Sequence, residues 1–247
     1  GAILQIIALL TLTEDTSVHG AKPLNLRDSQ QSFAVWGFMS RRSIKAEQLH
    51  LWRGVNHVLC GIDLCVSPGE MLVVTGANGS GKTSLLRTLC GLVHPEEGRI
   101  LWGEQNVRQD LPQFHSELVY LGHEPPLKGD LSARENLRYW VGMRRTFTTS
   151  ELDAALIRVG AGGWSEQPAR TLSAGQKRRV AIAGVVLFAA PLWLLDEPAT
   201  NLDVDGQRLV SNLIEEHVTA GGLVIAALHH ELNLKSVATQ RLELSSR

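Results

Sequence analysis

One segment constrains this chain more than any other: Gly76-Ala77-Asn78-Gly79-Ser80-Gly81-Lys82-Thr83, with Ser84 directly after it. It follows a short apolar run, Met71 to Val74, and precedes Leu85, Leu86 and Leu89, which share one face of a helix. The turn Ser67-Pro68-Gly69-Glu70 opens the unit, and the helix is expected to end near Gly91, before Pro95. Strand, glycine loop and helix in that order give such a loop its meaning as a polyphosphate cradle. Many donors must converge on the phosphates, and side chains would crowd them. Gly76, Gly79 and Gly81 therefore supply positive φ and close backbone approach. A helix starting near Lys82 adds its positive dipole end. Lys82 can reach the β- and γ-phosphates, and the Thr83 hydroxyl can ligate Mg²⁺. The four fixed positions arise by chance in roughly one chain of this length per hundred, before the flanking strand and helix are counted.

A second constellation, Pro191-Leu192-Trp193-Leu194-Leu195-Asp196-Glu197-Pro198, is an apolar run that ends in two acids. It reads as a buried parallel strand delivering carboxylates to the carboxyl edge of a sheet, where open α/β sheets bind ligands. Asp196 would hold Mg²⁺ there, directly or through water, and Glu197 would polarise the attacking water as general base. Alone, the run also suits a strand followed by a solvated acidic turn; the glycine loop favours the first reading. The third element is Leu172-Ser173-Ala174-Gly175-Gln176, followed by Lys177, Arg178 and Arg179. Ser173 is an N-cap for a helix whose apolar side carries Val180, Ile182, Val185 and Val186. A hydroxyl and a glycine amide at a helix N-terminus make a second phosphate-binding end, although by itself the motif is only a capped helix.

Length and charge narrow the classes further. A chain of 247 residues suits one sizeable α/β domain or two small ones. The near-neutral balance of 24 basic and 25 acidic residues argues against a strongly basic nucleic-acid binder, so no nucleic-acid partner is expected. Cys60, Cys65 and Cys90 form no CxxC pair; they read as small buried packing residues in a reducing compartment. The most apolar early stretch, Ala2 to Leu12, is interrupted by Gln5 and followed by Glu14 and Asp15, so neither a membrane span nor a secretory signal is expected. Residues 1–43 read as an extension of unknown role, and regular patterning begins at Ile44.

These three motifs, in this order, resemble the ATP-binding cassette (ABC) ATPases, over about Ile44 to Leu244. The resemblance implies an α/β fold: a P-loop NTPase nucleotide-binding domain over 44–247, with a RecA-like core, an antiparallel β subdomain and a helical subdomain near 123–180. It makes Leu172 to Gln176 the signature motif, which completes the ATP site of the opposite subunit. Thr200-Asn201-Leu202-Asp203 is similar to the D-loop, with Asp203 in its acidic position. Val224 to Leu228 leads into His229-His230, and His229 resembles the switch histidine that contacts the γ-phosphate and joins Glu197 and Lys82 in catalysis. The family glutamine after the strand ending Tyr120-Leu121 is missing. In Gly122-His123-Glu124-Pro125 either His123 or Glu124 takes its place near Mg²⁺, and the distance to Leu131 favours His123. Arg53 stands where an adenine-stacking aromatic is common, which leaves Trp52 to stack on the base or simply to pack. Ser132-Ala133-Arg134-Glu135 and Ser150-Glu151-Leu152-Asp153 read as capped helix starts within the helical subdomain. Leu137, Tyr139, Trp140 and Val141 are too many for one buried face, so some suit a partner groove.

A closer resemblance is to one branch, the haem-exporter ATP-binding subunits of cytochrome c maturation. Leu118 to Lys128, Leu131 to Leu137, Gly98 to Trp102, His229 to Leu234 and the short tail ending at Arg247 carry it, while Pro126, Gly184 and the extension depart from it. The resemblance implies ATP and Mg²⁺ as cofactors, a second copy of the chain as partner, and an integral-membrane permease like CcmB, with haem-handling proteins like CcmC and CcmE nearby. It also implies a peripheral position on the cytoplasmic face of the inner membrane. Another small exporter, or a soluble ABC ATPase of iron–sulfur assembly, fits the same motifs. A chromosome or DNA-repair ATPase would need a long insertion between Thr83 and Leu172, and only ordinary domain length is present there.

Overall fold

The computed structural model describes residues 42–229, 232–235 and 237–245. The extension up to residue 41, His230 and the last two residues of the tail lie outside the described residues. The regular part opens as an antiparallel hairpin, β1 (Ile44–Arg53) and β2 (Asn56–Val66). After β3 (Glu70–Gly76) and α1 (Lys82–Leu89), β4 (Glu97–Trp102) and β5 (Gln105–Asn106) complete a sheet of order β2-β1-β4-β5, and the short helix α2 (Leu111–Ser116) follows. Period-two burial along β1 places Ile44 and Ala46 inward, then slips by one residue to Leu49 and Leu51. The slip is a bulge at Gln48, whose φ is 47° and whose side chain bonds Asp63 on the neighbouring strand. Gly98 accommodates it, because a Cβ there would sit 2.3 Å from the Gln48 carbonyl oxygen.

The second sheet is wholly parallel, in the order β6-β7-β8-β3-β9, from β6 (Leu118–Leu121), β7 (Leu192–Asp196), β8 (Leu223–Ala227), β3 and β9 (Ala238–Leu244). The three inner strands are nearly continuous apolar runs because both faces are covered. On one face Leu72, Val74, Leu192 and Ile225 join Leu85, Leu86 and Leu89 of α1 and the inward residues of the antiparallel sheet in one core. On the other, Trp193 and Leu195 meet Ile182 and Val185 of α5 (Ala174–Phe188) and Val210, Leu213 and Ile214 of α6 (Val204–Thr219).

Between β6 and α5 the chain makes α3 (Ala133–Gly142) and α4 (Thr149–Arg158), which pack on α5. Ser132 caps α3 with the reciprocal Glu135 bond that its sequence predicts. The cap of α4 differs from expectation. Thr148, not Ser150, is the N-cap: its hydroxyl accepts from Glu151 N at 3.2 Å, and the Glu151 carboxylate accepts from Thr148 N at 2.7 Å. Leu137 and Val141 are buried and Trp140 packs on Gly184, while Tyr139 is 47% exposed beneath the Lys128 ammonium. The cysteines also correct the sequence reading. All three are free and Cys90 is buried, but Cys65 is exposed because β2 is an edge strand and residue 65 faces outward.

Candidate functional site

Strand β3 runs between β8 and β9 and ends at Gly76, where the glycine loop begins. Gly76, Gly79 and Gly81 have φ of 140°, 82° and 102°, the left-handed half of backbone space that the sequence demands of them. At Gly76 the constraint is steric as well, since a Cβ would lie 2.3 Å from the carbonyl oxygen of Leu244. Ala77, Asn78 and Gly79 face solvent, and Thr83 and Ser84 are half-buried in the first turn of α1. The N-cap of α1 is Gly81, and no side chain caps it, so the first amides of the helix stay open to an anion. Lys82, only 6% exposed, folds over the loop and donates to the carbonyls of Gly76 (2.7 Å) and Ala77 (3.0 Å). The Ser80 hydroxyl is buried with no hydrogen-bond partner, an arrangement that is costly unless a ligand completes it.

The carboxyl edge of β7 lies one strand beyond β8, so its acids stand about 10 Å across the sheet from the loop. Asp196 is 2% exposed, and its Oδ2 likewise has no hydrogen-bond partner. A buried carboxylate with an unpartnered oxygen, on the same sheet edge as a threonine-bearing loop, supplies the hard oxygen donors that Mg²⁺ prefers, so Thr83 and Asp196 fit that ion. Glu197 has φ of 50°, a strained conformation for a residue with a Cβ. Its amide donates to Ala227 (3.0 Å), and its side chain is held on both oxygens. His229 Nε2 lies 2.7 Å from Oε1, the Thr200 hydroxyl donates to Oε2 at 3.2 Å, and His123 Nδ1 stands 3.6 Å from Oε2. Of the two residues in the glutamine position, both solvent-exposed, His123 is the one placed beside the Glu197 carboxylate.

The signature turn is presented outward. Ser173 and Ala174 are exposed at the start of α5, and Ser173 forms a capping box with Gln176, at 3.1 Å and 2.9 Å. Leu172 is buried beneath the turn, and Gly175 lets the D-loop approach: a Cβ there would meet the Asn201 carbonyl at 2.8 Å. Asp203 caps α6 through Gly206 N (2.8 Å) and pairs with Arg179 (3.0 Å). The Gly206 amide is the main influence holding its carboxyl below the ordinary range. Among the described residues no hydrogen bond joins 172–176 to the 76–84 loop, so the two halves of the predicted ATP site do not meet within one chain. Trp52 stacks on His57 with ring centroids 3.9 Å apart and planes at 5°, and His57 in turn bonds His50 at 3.0 Å. One face of the indole is thereby occupied from within the hairpin.

The sequence reading missed Arg178. It is 1% exposed on the second turn of α5, and its five N–H donors meet five carbonyl oxygens, of Gly122, His123, Asp196, Glu197 and Pro198. Burial lowers its pKa to about 10, against the opposing pull of the Asp196 and Glu197 carboxylates, so it stays charged at neutral pH. The signal was present: Arg178 shares a helix face with Ile182 and Val185, a cation set in the apolar stripe.

The ABC transporter family model matches residues 59–200. The chain is 46% identical over 198 residues to the cytochrome c biogenesis ATP-binding export protein CcmA of Methylococcus capsulatus, covering 80% of this chain and 96% of that one. It is 37% identical to the Escherichia coli protein of the same name, over 82% of this chain and 96% of the relative. A solved ATP-binding subunit of an ABC transporter superposes with a TM-score of 0.68 at 23% identity, over 75% of this chain and 79% of that one. The fold, the loop and the acids at the sheet edge agree with these likenesses, and the chain belongs to the ABC transporter ATPases, in their CcmA branch.

Proposed function

We propose that this chain is the motor subunit of a cytochrome c maturation haem exporter, which couples ATP hydrolysis to haem export or to release of a haem-loaded chaperone. The observation that carries the mechanism is the setting of Glu197: strained backbone, both carboxylate oxygens held, and the unpartnered Asp196 Oδ2 next to it. Gly76 to Ser84 wrap the phosphates, with Lys82 leaving its loop carbonyls for the β- and γ-phosphates. Bound at Thr83 and Asp196, with His123 the third candidate ligand, Mg²⁺ would neutralise charge developing on the β,γ-bridging oxygen. Glu197 takes a proton from a water as the water oxygen bonds the γ-phosphorus; the bond to the bridging oxygen breaks, and ADP and phosphate result. His229, already against Glu197, orients the acid and contacts the γ-phosphate. Leu172 to Gln176 of a second copy close the site from the other side, with Asp203 in the D-loop between the two halves. Trp52, through its open face, is the candidate platform for adenine.

In this reading the cassette spans 44–247 with its helical subdomain near 123–180, and 1–43 is an extension without an assigned role. No helix among the described residues is long and apolar enough to cross a membrane, which suits a peripheral subunit seated on a CcmB-like permease at the cytoplasmic face of the inner membrane. The exposed Tyr139 and Met143 of the helical subdomain offer such a partner apolar surface. The test is recovery of tagged Glu197→Gln from native membranes with ATP present. Co-purification of a small permease with haem-handling maturation proteins is expected. A different permease, or soluble partners alone, would overturn the haem assignment and leave the ATPase untouched.

A further inference from the structure

Arg178 joins parts of the molecule that hydrolysis needs in register. Its Nη1 donates to the carbonyls of Gly122 (2.8 Å) and His123 (3.2 Å), on the loop after β6. Its Nη2 donates to those of Asp196 (2.7 Å), the last residue of β7, and Glu197 (2.6 Å), and Nε to that of Pro198 (3.0 Å), the latter two on the loop after β7. The guanidinium has five donors, and all are used. None of the acceptors lies in the hydrophobic core; each belongs to a segment that presents a side chain to the site. The clamp also explains how Glu197 keeps a left-handed backbone, since its amide is fixed by Ala227 and its carbonyl by Arg178. Behind Arg178, α5 carries Ser173 and Gly175 at its N-terminus and receives Trp140 of α3 at Gly184.

We propose that Arg178 is a positioning residue for hydrolysis, which locks the loops bearing His123 and Glu197 onto the signature helix. Buried, with all its donors on backbone carbonyls, it has none left for a substrate; it sets where the Glu197 carboxylate and the His123 ring stand when the signature turn is seated. The inference rests on Glu197 as the general base. A lysine keeps the charge but offers three donors from one point, and cannot span two loops.

The experiment compares wild type, Arg178→Lys and Glu197→Gln as purified full-length chains, measuring ATP affinity, KM, kcat and the thermal midpoint. Arg178→Lys is expected to stay folded, to keep ATP affinity and KM within about threefold, and to lose about a hundredfold in kcat, the size of loss a small misplacement of reacting groups produces. A wild-type kcat in Arg178→Lys, with Glu197→Gln inactive, overturns the role of Arg178 alone. Full activity in Glu197→Gln removes the base itself and the inference with it. A parallel fall in affinity, kcat and thermal midpoint would assign Arg178 to stability only. If Arg178→Lys does not fold, Arg178→Gln is measured in its place, and failure of both to fold likewise overturns the positioning role.

Discussion

His217, in the last turn of α6, is a buried ionisable ring. Its ring is 3% exposed, lies parallel to Trp193 at 3.9 Å and bonds the Pro191 carbonyl at 3.1 Å. Gly222 leaves it room, since a Cβ there would fall 2.2 Å from the ring. Burial pushes its pKa down from 6.5 to about 4, so in the folded protein the ring stays neutral where the unfolded chain would already bind a proton. A depressed histidine gives stability that is complete above pH 6.5 and drains away as pH falls toward 4, by about 3 kcal/mol. Urea unfolding at pH 7 and pH 4.5 should therefore show wild type losing roughly 2–3 kcal/mol more than His217→Gln, which keeps a donor for Pro191 but does not titrate. Equal acid losses in both proteins would show that the imidazole is not the group responsible.

At the scale of elements, Gly184 settles why a glycine sits in the middle of a long helix. An added Cβ would lie 2.0 Å from the Trp140 ring, so the glycine is the notch that lets α3 lie against α5. Alanine there gains about 1 kcal/mol of helix propensity but overpacks a rigid indole, at about 1–3 kcal/mol. Gly184→Ala should lower the thermal midpoint by several degrees and shift tryptophan emission, while Gly163→Ala, with open space around it, should do neither. This scale also shows what the sequence could reveal. The inner parallel strands were legible because burial on both faces makes them continuous apolar runs, and the phosphate loop because glycines at positive φ have few substitutes. The Gln48 bulge was not, since a slip of register depends on the partner strand and on Gly98. The α4 cap was misplaced by two residues because Thr148 and Ser150 are both good caps, and only the preceding turn decides between them. Arg178 stands in a basic run, where only its place on the apolar face with Ile182 and Val185 sets it apart; the loops that consume its donors come from distant parts of the chain and leave no mark beside it in sequence.

For the whole molecule, the decisive fact is that the glycine loop and the outward signature turn belong to one chain yet share no hydrogen bond. Under the proposed function, such a site closes when two copies meet head to tail, each loop facing the other's signature turn. A net charge of -1 leaves little long-range repulsion to oppose that meeting. Glu197→Gln with Mg-ATP should therefore run at twice the 27.0 kDa of the chain, and as the single chain without nucleotide. Ala174 allows a sharper version. It is exposed at the first position of α5, where an added carboxylate suits the helix dipole and should not weaken the fold. Across the interface the same carboxylate would face the γ-phosphate, and two like charges near 5 Å repel by about 3 kcal/mol at an effective dielectric near 20. The Ala174→Glu, Glu197→Gln double variant carries this repulsion at both sites of the dimer, about 6 kcal/mol in all, and should thus need about ten-thousandfold more protein to dimerise, while a single copy binds ATP as before. Mass photometry across a concentration series measures this directly. A double variant that dimerises as readily as Glu197→Gln would mean that the signature turn does not close over the nucleotide of the opposite copy.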